Sequence, residues 1–321
     1  MSCTPQGSTT PVLGLCKPNG GEQAWSTAIN GNWDTIDAML QNNIAAGTSI
    51  TLSLANGILT ISSSAGGTLV RGSLAGFTLS NDVNTPNTFL DIAAGQAADS
   101  TNANYISGAA FTKNTTTFVV GTGKGGLCPG LGALTPSTWF HVFAAVVSGS
   151  YDVFFDVNVA AANKPGGTTS FRRIGSFLTS SAASPNTAIM SFSQSGDLFE
   201  WYVPVLDLQT TNPGTSAILR GLSVPTGVAV NAWINNGITI GSPASTVSVY
   251  CSDPATVDIA PTGSGTPQST LTAVPNQYNS YLTRIHTNTA GQIRTRFSFS
   301  DSATTYNIAT VGWEDRRGRD T

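Results

Sequence analysis

The sequence predicts a mainly β protein, with an N-terminal extended arm and a short amphipathic helix ahead of a β-sandwich or jelly-roll-like body. Short runs that alternate apolar and polar residues recur along the chain, which is typical of strands with one buried face. Turn-forming Gly, Pro and Asn residues separate these runs. Only one segment, near the N terminus, places its apolar residues at helical spacing over more than ten positions.

That helical segment covers residues 25–40. Its apolar residues follow one another at steps of four, four, three and four, which places them on one face of a helix: Trp25, Ile29, Trp33, Ile36 and Leu40. A helix this short cannot bury two tryptophans alone, so the face needs its own core, a second copy of the chain or a socket on a larger particle. Residues 1–20 have no periodic pattern and predict the extended arm.

A β-hairpin is predicted next. Residues 50–61 alternate strictly around Asn56-Gly57, a dipeptide that is the strongest short hairpin signal. Small and flexible residues follow as far as Gly67 and predict a linker. The predicted organisation is an arm and helix over residues 1–47, a hairpin and linker over 48–67, and a β-rich body over 68–321, with a subdivision near 205–220 left open.

The sequence of the body predicts several strands. Residues 139–147 are apolar apart from His141, and residues 293–299 alternate apolar with polar side chains. Residues 151–159 also alternate, and we interpret Asp152 and Asp156 as solvated side chains on the wet face of that strand. Trp313 precedes a charged C-terminal segment, and we expect it to anchor the last strand in the core. We expect Arg316, Arg317 and Arg319 to pair with acidic groups.

The composition excludes several classes of protein. Charged residues make up 10% of the chain, against about 25% in typical soluble domains. With a net charge of -3 and no basic cluster interleaved with aromatic residues, nucleic-acid binding is not expected. The sequence has no run of 18 apolar residues, so membrane insertion is not expected, and the first residues do not resemble a secretory signal. The polar, weakly charged surface suits an extracellular β protein or a virion component.

Cofactor and metal sites are not expected. The four cysteines lack Cys-x-x-Cys spacing, and the chain has two histidines, His141 and His286. Cys128 and Cys251 are predicted to be small buried residues. Cys3 and Cys16 flank the arm and are candidates for an interchain disulfide.

The sequence predicts no enzyme. The glycine-rich residues 121–126 lack the Lys-Ser/Thr pair and the following helix of a phosphate-binding loop. A serine nucleophile would need a histidine base, and His141 lies within a bulky apolar strand, where we predict a structural histidine. Glycan binding instead rests on aromatic rings beside amide side chains, and the candidates for glycan contact are Trp201, Tyr202, Trp233, Tyr278 and Tyr281. Burial of these rings in a sandwich or trimer core remains the alternative.

Two sets of residues resemble proteins of tailed bacteriophages. Lys17-Pro18, Trp25, Asn30, Asn32-Trp33-Asp34 and Asp37 resemble the N-terminal attachment region of phage fibre proteins. In the body, the matching motifs keep their order along the chain and resemble a recurrent β-rich module of tail-fibre-like proteins: residues 79–82, 85–87, 90–95, 99–101, 111–113, 137–143, 171–175 and 312–320.

The resemblance implies a homotrimeric virion fibre. It would be made in the host cytoplasm, attached by its N terminus to another virion protein of the tail, baseplate, collar or capsid, and exposed after lysis for recognition of host-surface polysaccharide. A purely structural head or collar fibre, a decoration protein or an adaptor is the alternative, and a surface-polysaccharide depolymerase is a third reading. The residues implied for attachment and trimerisation are Trp25, Ile29, Asn30, Asn32, Trp33, Asp34, Ile36 and Asp37.

Overall fold

The computed structural model divides the chain into two compact units, Met1–Thr68 and Leu69–Thr321. The residues that the structure describes are 8–9, 16–17, 31–32, 34–36, 38, 50–55, 58–63, 70–241, 246–262, 265 and 267–319. The predicted mainly β fold is confirmed, because strands form almost all of the regular structure in these residues.

The first unit contains two strand pairs and a short helix. Strand β1 (Ser8–Thr9) pairs antiparallel with β2 (Cys16–Lys17), so the arm is extended at these residues but folds back on itself, which the sequence did not predict. Residues 31, 32, 34–36 and 38 are helical, as predicted. Strands β3 (Ile50–Ala55) and β4 (Ile58–Ser63) form the predicted hairpin, with Ala55 opposite Ile58 across a two-residue loop.

The second unit contains four sheets. A three-stranded sheet is formed by β5 (Leu74–Gly76), β8 (Gly95–Ala98) and β9 (Tyr105–Gly108). A seven-stranded sheet has the order β14-β12-β13-β11-β10-β7-β6, with these bounds: β6 Leu79–Asn81, β7 Phe89–Ile92, β10 Phe111–Thr117, β11 Lys124–Leu127, β12 Trp139–Val147, β13 Ser150–Asp156 and β14 Thr168–Leu178. Strand β11 runs parallel to both of its neighbours.

The other two sheets are antiparallel throughout. The five-stranded sheet has the order β15-β16-β23-β18-β21, with bounds Phe192–Ser195, Leu198–Thr211, Thr304–Glu314, Asn231–Ile240 and Tyr278–His286 respectively. The four-stranded sheet has the order β17-β22-β19-β20, with bounds Ile218–Gly221, Gln292–Phe297, Val247–Ser252 and Ser269–Ala273.

One continuous apolar core joins the sheets of the second unit. The ring of Trp313 in β23 lies 5.3 Å from that of Trp139 in β12 and stacks on Phe199 in β16 at 5.1 Å, so the seven-stranded and five-stranded sheets pack face to face. The ring of Phe297 in β22 lies 4.9 Å from that of Tyr306 in β23, which joins the four-stranded sheet to the same core. Trp313 is fully buried, which confirms its predicted role as an anchor.

The interpretation of Asp152 and Asp156 as solvated side chains is wrong, since both are fully buried. A second apolar cluster, including Phe143, Phe154 and Ala161, covers the face of β12 and β13 that the alternation predicted to be wet. Asp152 pairs with Lys113 there, whereas the Asp156 carboxylate accepts hydrogen bonds from the backbone and side-chain amides of Asn163.

The predictions that Cys128 and Cys251 are buried and that Arg317 and Arg319 pair with an acidic group are confirmed, whereas the pairing of Arg316 with an acidic group stays a prediction. Cys128 and Cys251 are buried free thiols. Arg317 and Arg319 both form ion pairs with Asp197. Arg316 has a partner as well. Among the described residues, no helix has the length and apolarity needed to span a membrane.

Candidate ligand-binding surface

The five-stranded sheet has one face in the core and one face in solvent. Along β18, Ala232, Ile234, Ile238 and Ile240 are fully buried and point to the core. The alternate positions of β18 lie on the opposite face and are Asn231, Trp233, Asn235, Gly237 and Thr239. This period-two separation follows from strand geometry, since successive side chains point to opposite sides of a sheet.

The strand register places further residues on the same outer face, because directly paired residues share a side of the sheet. In β21, Arg284 is opposite Trp233, Leu282 is opposite Asn235, and Tyr278 is opposite Thr239. Strands β23 and β16 extend these rows with Asn307, Leu206 and Gln209. The term "outer face" is used below for this set: Leu206, Gln209, Trp233, Asn235, Thr239, Tyr278, Leu282, Arg284 and Asn307.

The charged side chain of Arg284 lies over the indole of Trp233. The Arg284 guanidinium carbon lies 5.3 Å from the centre of the Trp233 ring, a cation–π arrangement. Arg284 also forms an ion pair with Glu314 at the end of β23. Trp233 Nε1 and Asn307 Oδ1 are both buried and have no hydrogen-bond partner among the described residues. These two polar atoms are therefore covered by neighbouring atoms. The exposed polar groups of the outer face include those of Asn235, Thr239 and Tyr278.

The position of Tyr278 depends on a glycine. A Cβ built on Gly237 would lie 2.7 Å from the Tyr278 hydroxyl oxygen, so the absence of a side chain at residue 237 lets the phenol lie across the sheet. Tyr278 is nevertheless 57% exposed, and Leu206 and Leu282 are 59% and 50% exposed. The outer face thus combines solvent-exposed apolar surface with amide and hydroxyl groups. This combination can bind the C–H faces and the hydroxyls of sugars.

The structure separates the predicted glycan candidates. Trp233 and Tyr278 lie on the same outer face, six positions apart along the paired strands, which is about 20 Å at the usual strand rise. Tyr281 is 51% exposed but pairs with the buried Asn236, so it points to the other side of the sheet at its edge. Tyr202 is 67% exposed, at an irregularity where β16 is not paired with β23.

Trp201 is a core residue, which corrects its inclusion as a glycan candidate. It is 4% exposed, its Nε1 donates to the carbonyl oxygen of Ser223 at 3.1 Å, and its ring packs 5.0 Å from that of Trp313. Sequence reasoning missed Arg284, Leu206, Gln209 and Asn307, because only the pairing of distant strands brings them onto the same face as Trp233.

Of the predicted attachment residues, Asn32, Asp34 and Ile36 lie in the helical segment and are exposed, Ile36 by 44%. Trp25, Ile29, Asn30, Trp33 and Asp37 lie outside the described residues. Cys3 lies outside them as well, and Cys16 is in β2. Attachment, trimerisation and the interchain disulfide therefore stay predictions.

His141 is a structural histidine, as predicted. It is 1% exposed, and its Nδ1 accepts from Arg173 Nε at 3.2 Å and contacts Ser176 Oγ at 2.8 Å. Burial and the adjacent Arg173 lower the pKa of His141 to about 3, so its ring is neutral at physiological pH. Arg173 is itself bound by the buried carboxylate of Asp315.

The glycine-rich residues 121–126 lead into a strand. Lys124 begins β11, and Gly121 N donates to Asp152 Oδ2 at 2.8 Å, so this segment is tied to the buried ion pair. Within the described part of the chain, no three His, Cys, Asp or Glu residues are grouped so that they could hold a metal ion.

No protein-family model and no curated protein matches this chain. Among solved structures, the chain is similar to a protein of the T13 IBDV viral particle, with 11% identity over 78% of this chain and 72% of that chain. The TM-score of this match is 0.23, which is too low to support an argument about fold or function.

Proposed function

We propose that the chain is a fibre protein of a bacteriophage virion, carried on the particle by residues 1–47 and presenting its β-rich body to glycans of the host surface. The observation that carries the proposal is the outer face, where Trp233 and Tyr278 lie on the same side of one sheet with Asn235 and Asn307. The low charge of the chain and the resemblance of its ordered motifs to phage fibre modules support the same proposal.

Binding rather than cleavage is proposed for the outer face. Paired carboxylates for glycoside hydrolysis must lie about 5–9.5 Å apart. The Glu314 carboxylate beside the outer face is engaged in the ion pair with Arg284, and the residues that define the outer face supply no second carboxylate. Its rings and amides can hold a sugar without supplying a general acid or a nucleophile. The polysaccharide should therefore keep its length after binding.

The proposal includes a homotrimer that buries the helical stripe. Ile36 is 44% exposed in the single chain, so at least this member of the stripe lacks a cover there. Three copies would bury Trp25, Ile29, Trp33 and Ile36 against one another, at about 1.5–3 kcal/mol for each large side chain. Light scattering on the purified chain tests this part, because a monomer mass at micromolar concentration contradicts it.

A purely structural fibre or adaptor is the second candidate, and one observation favours it. Tyr202 and Val203, next to each other in β16, are 67% and 76% exposed. Adjacent exposed apolar residues on a soluble protein are typical of protein contacts. Under this alternative the β body would contact another virion protein and bind no glycan.

Binding to host cells and to purified surface polysaccharide separates the candidates. We expect Tyr278→Ala and Trp233→Ala to weaken binding about tenfold, the effect of losing roughly 1.4 kcal/mol of ring stacking. Tyr281→Ala is the matched control, since it removes an equally exposed ring of the same strand that points away from the outer face. If Tyr278→Ala and Trp233→Ala bind as tightly as Tyr281→Ala and the wild type, the proposed site is contradicted. Shortening of the polymer contradicts the non-enzymatic role.

The attachment role is tested with particles. A chain lacking residues 1–47 should no longer be incorporated into virions, although its β body should remain folded because it has its own core. Electron microscopy of labelled particles then gives the location of the protein. A position near the tail tip supports adsorption, whereas a position on the capsid or neck supports the structural alternative.

A further inference from the structure

The structure also contains a cleft whose lining residues are not part of the outer face. Residues 70–75 and the C-terminal segment line this cleft, which has a volume of about 460 Å³. This volume lies within the range of about 300–1,000 Å³ that is usual for small-molecule sites. Arg71, Arg316 and Arg319 line the cleft together with Gln96 and Tyr105, and no acidic residue is among its described lining residues. The name "arginine cleft" is used below for this site.

Arg172 lies behind the C-terminal segment and lines a separate pocket with Arg173 and Gly318. This residue is 2% exposed, and its Nε donates to the carbonyl oxygen of Arg317 at 3.2 Å. Its Nη1 and Nη2 atoms are buried and have no hydrogen-bond partner among the described residues. Burial lowers the pKa of Arg172, and the positive charges of Arg319, Arg173 and Arg317 lower it further. The region therefore holds closely spaced positive charge in a partly dry environment.

In the described part of the chain, three aspartates lie near these arginines. Asp315 binds Arg173, and Asp197 contacts both Arg317 and Arg319. Asp99 accepts hydrogen bonds within its own turn, from Thr101, Ala103 and Asn104. With Arg316 left aside, five arginines (71, 172, 173, 317 and 319) lie near these three aspartates among the described residues, which do not include Asp320. Six of the ten arginines of the chain gather here, although the chain otherwise contains little charge.

We propose that the arginine cleft binds an acidic sugar, a ring that carries a carboxylate or phosphate group. Guanidinium groups bind such oxyanions with paired, charge-assisted hydrogen bonds. Tyr105 is 44% exposed and offers a ring for the C–H face of the sugar, while the amide of Gln96 can bind a hydroxyl. The inference rests on the proposed function only for the source of the sugar, an acidic surface polysaccharide.

The geometry favours a single acidic ring over a polynucleotide. A nucleic-acid site needs basic side chains that follow several successive phosphates. Here the guanidinium groups converge on one cleft, and the chain as a whole has a net charge of -3. A single acidic ring, or one acidic unit of a longer saccharide, needs no basic groups beyond the cleft, whereas the successive phosphates of a polynucleotide do.

Titration calorimetry on the full chain tests the proposal, with glucuronate, glucose 6-phosphate, glucose and inorganic phosphate as probes. We expect saturable binding of the two acidic sugars, and binding at least about tenfold weaker for glucose and for inorganic phosphate. The double variant Arg71→Gln/Arg316→Gln should weaken binding of the acidic sugars by about tenfold or more. Lys124→Gln/Lys164→Gln is the matched control, because it removes the same charge from exposed positions outside the cleft.

Each contrary result overturns a defined part of the inference. No binding of either acidic sugar, or unchanged binding by the arginine variant, removes the site. Equal affinity for inorganic phosphate and glucose 6-phosphate means that the ring is not recognised. Tighter binding of a short single-stranded oligonucleotide than of either sugar assigns the cleft to a polynucleotide. If any of these contrary results is found while Tyr278→Ala still weakens binding to host cells, the proposed function stands and only the inference about the arginine cleft fails.

Discussion

Lys113 Nζ lies 2.7 Å from Asp152 Oδ1, and neither side chain is exposed to solvent. The two residues belong to β10 and β13, which are separated in the sheet by β11. The ammonium group also donates to the carbonyl oxygens of Val119 and Gly125 and lies 4.6 Å from the centre of the Phe118 ring. This contact therefore joins three strands and the loop between β10 and β11 in one buried network.

Removing one partner of this pair should be costly. Lys113→Met leaves the Asp152 carboxylate buried without its counter-charge, and we expect the free energy of unfolding to fall by about 3–5 kcal/mol. Lys113→Met/Asp152→Asn removes both charges and keeps an acceptor for Gly121 N, so it should recover much of that loss. Urea denaturation of the wild type and both variants measures the effect. A double variant as unstable as the single one would mean that packing, not charge, dominates at this site.

The glycines of β11 should be needed for close packing and not for phosphate binding. A Cβ on Gly125 would lie 2.0 Å from the Thr117 carbonyl oxygen, and one on Gly126 would lie 2.8 Å from the Phe155 ring. Gly125→Ala should therefore lower the free energy of unfolding by about 1–3 kcal/mol or more, as overpacking does. Gly166→Ala, where no atom lies within 4 Å, is the control and should melt like the wild type. Equal melting temperatures for both variants would contradict this account.

The stability of the body should fall as the pH is lowered from about 6.5, because of His141. Its folded-state pKa of about 3 is below the unfolded value of 6.5, so in this window the unfolded chain takes up a proton that the folded chain does not. The loss approaches about 1.4 kcal/mol per pH unit, or about 2 kcal/mol at pH 5.

Denaturation curves at pH 5, 6 and 7 measure this slope. His141→Gln keeps an acceptor for Arg173 and should flatten the slope, although it lowers stability at every pH. His286→Gln removes the other histidine, which is exposed and contacts Asp253, and should retain the fall in stability. A slope that persists in His141→Gln would assign the acid sensitivity to another group.

Local patterns were sufficient for the strands but not for their environment. Alternation predicted β13 and β22, and the Asn56-Gly57 dipeptide predicted the β3–β4 hairpin. The same alternation misassigned Asp152 and Asp156, because Phe143 and Phe154 cover the second face of that sheet. Hydrophobic periodicity reports which side chains share a face, and it does not report whether a further layer covers the polar face.

The candidate surface was predicted only in its parts. Trp233 and Tyr278 are 45 positions apart and share one face because β18 and β21 pair with Thr239 opposite Tyr278. No local signal specifies that register, so the sequence could name the two rings without joining them. Trp201 and Tyr202 show the converse, since neighbours in one strand differ from 4% to 67% exposure according to the face that each residue occupies.

Trp313 should be the most important side chain of the C-terminal strand. It contacts the rings of Trp139, Phe199 and Trp201 at 5.0–5.3 Å and is fully buried. Trp313→Ala should lower the free energy of unfolding by about 3–5 kcal/mol, and Trp313→Phe by less, because a phenyl ring keeps the stacking on Phe199.

Arg319→Ala provides the comparison at the same end of the chain. Arg319 pairs with Asp197 at a site where both side chains are about a third exposed, so its loss should cost about 1 kcal/mol or less. Thermal melts of the three variants should therefore rank Trp313→Ala well below Trp313→Phe, and Trp313→Phe below Arg319→Ala. If Trp313→Ala has the melting temperature of the wild type, β23 does not depend on this side chain. The contacts of Trp313 with Trp139 and Trp201 would then not be what fixes the last strand.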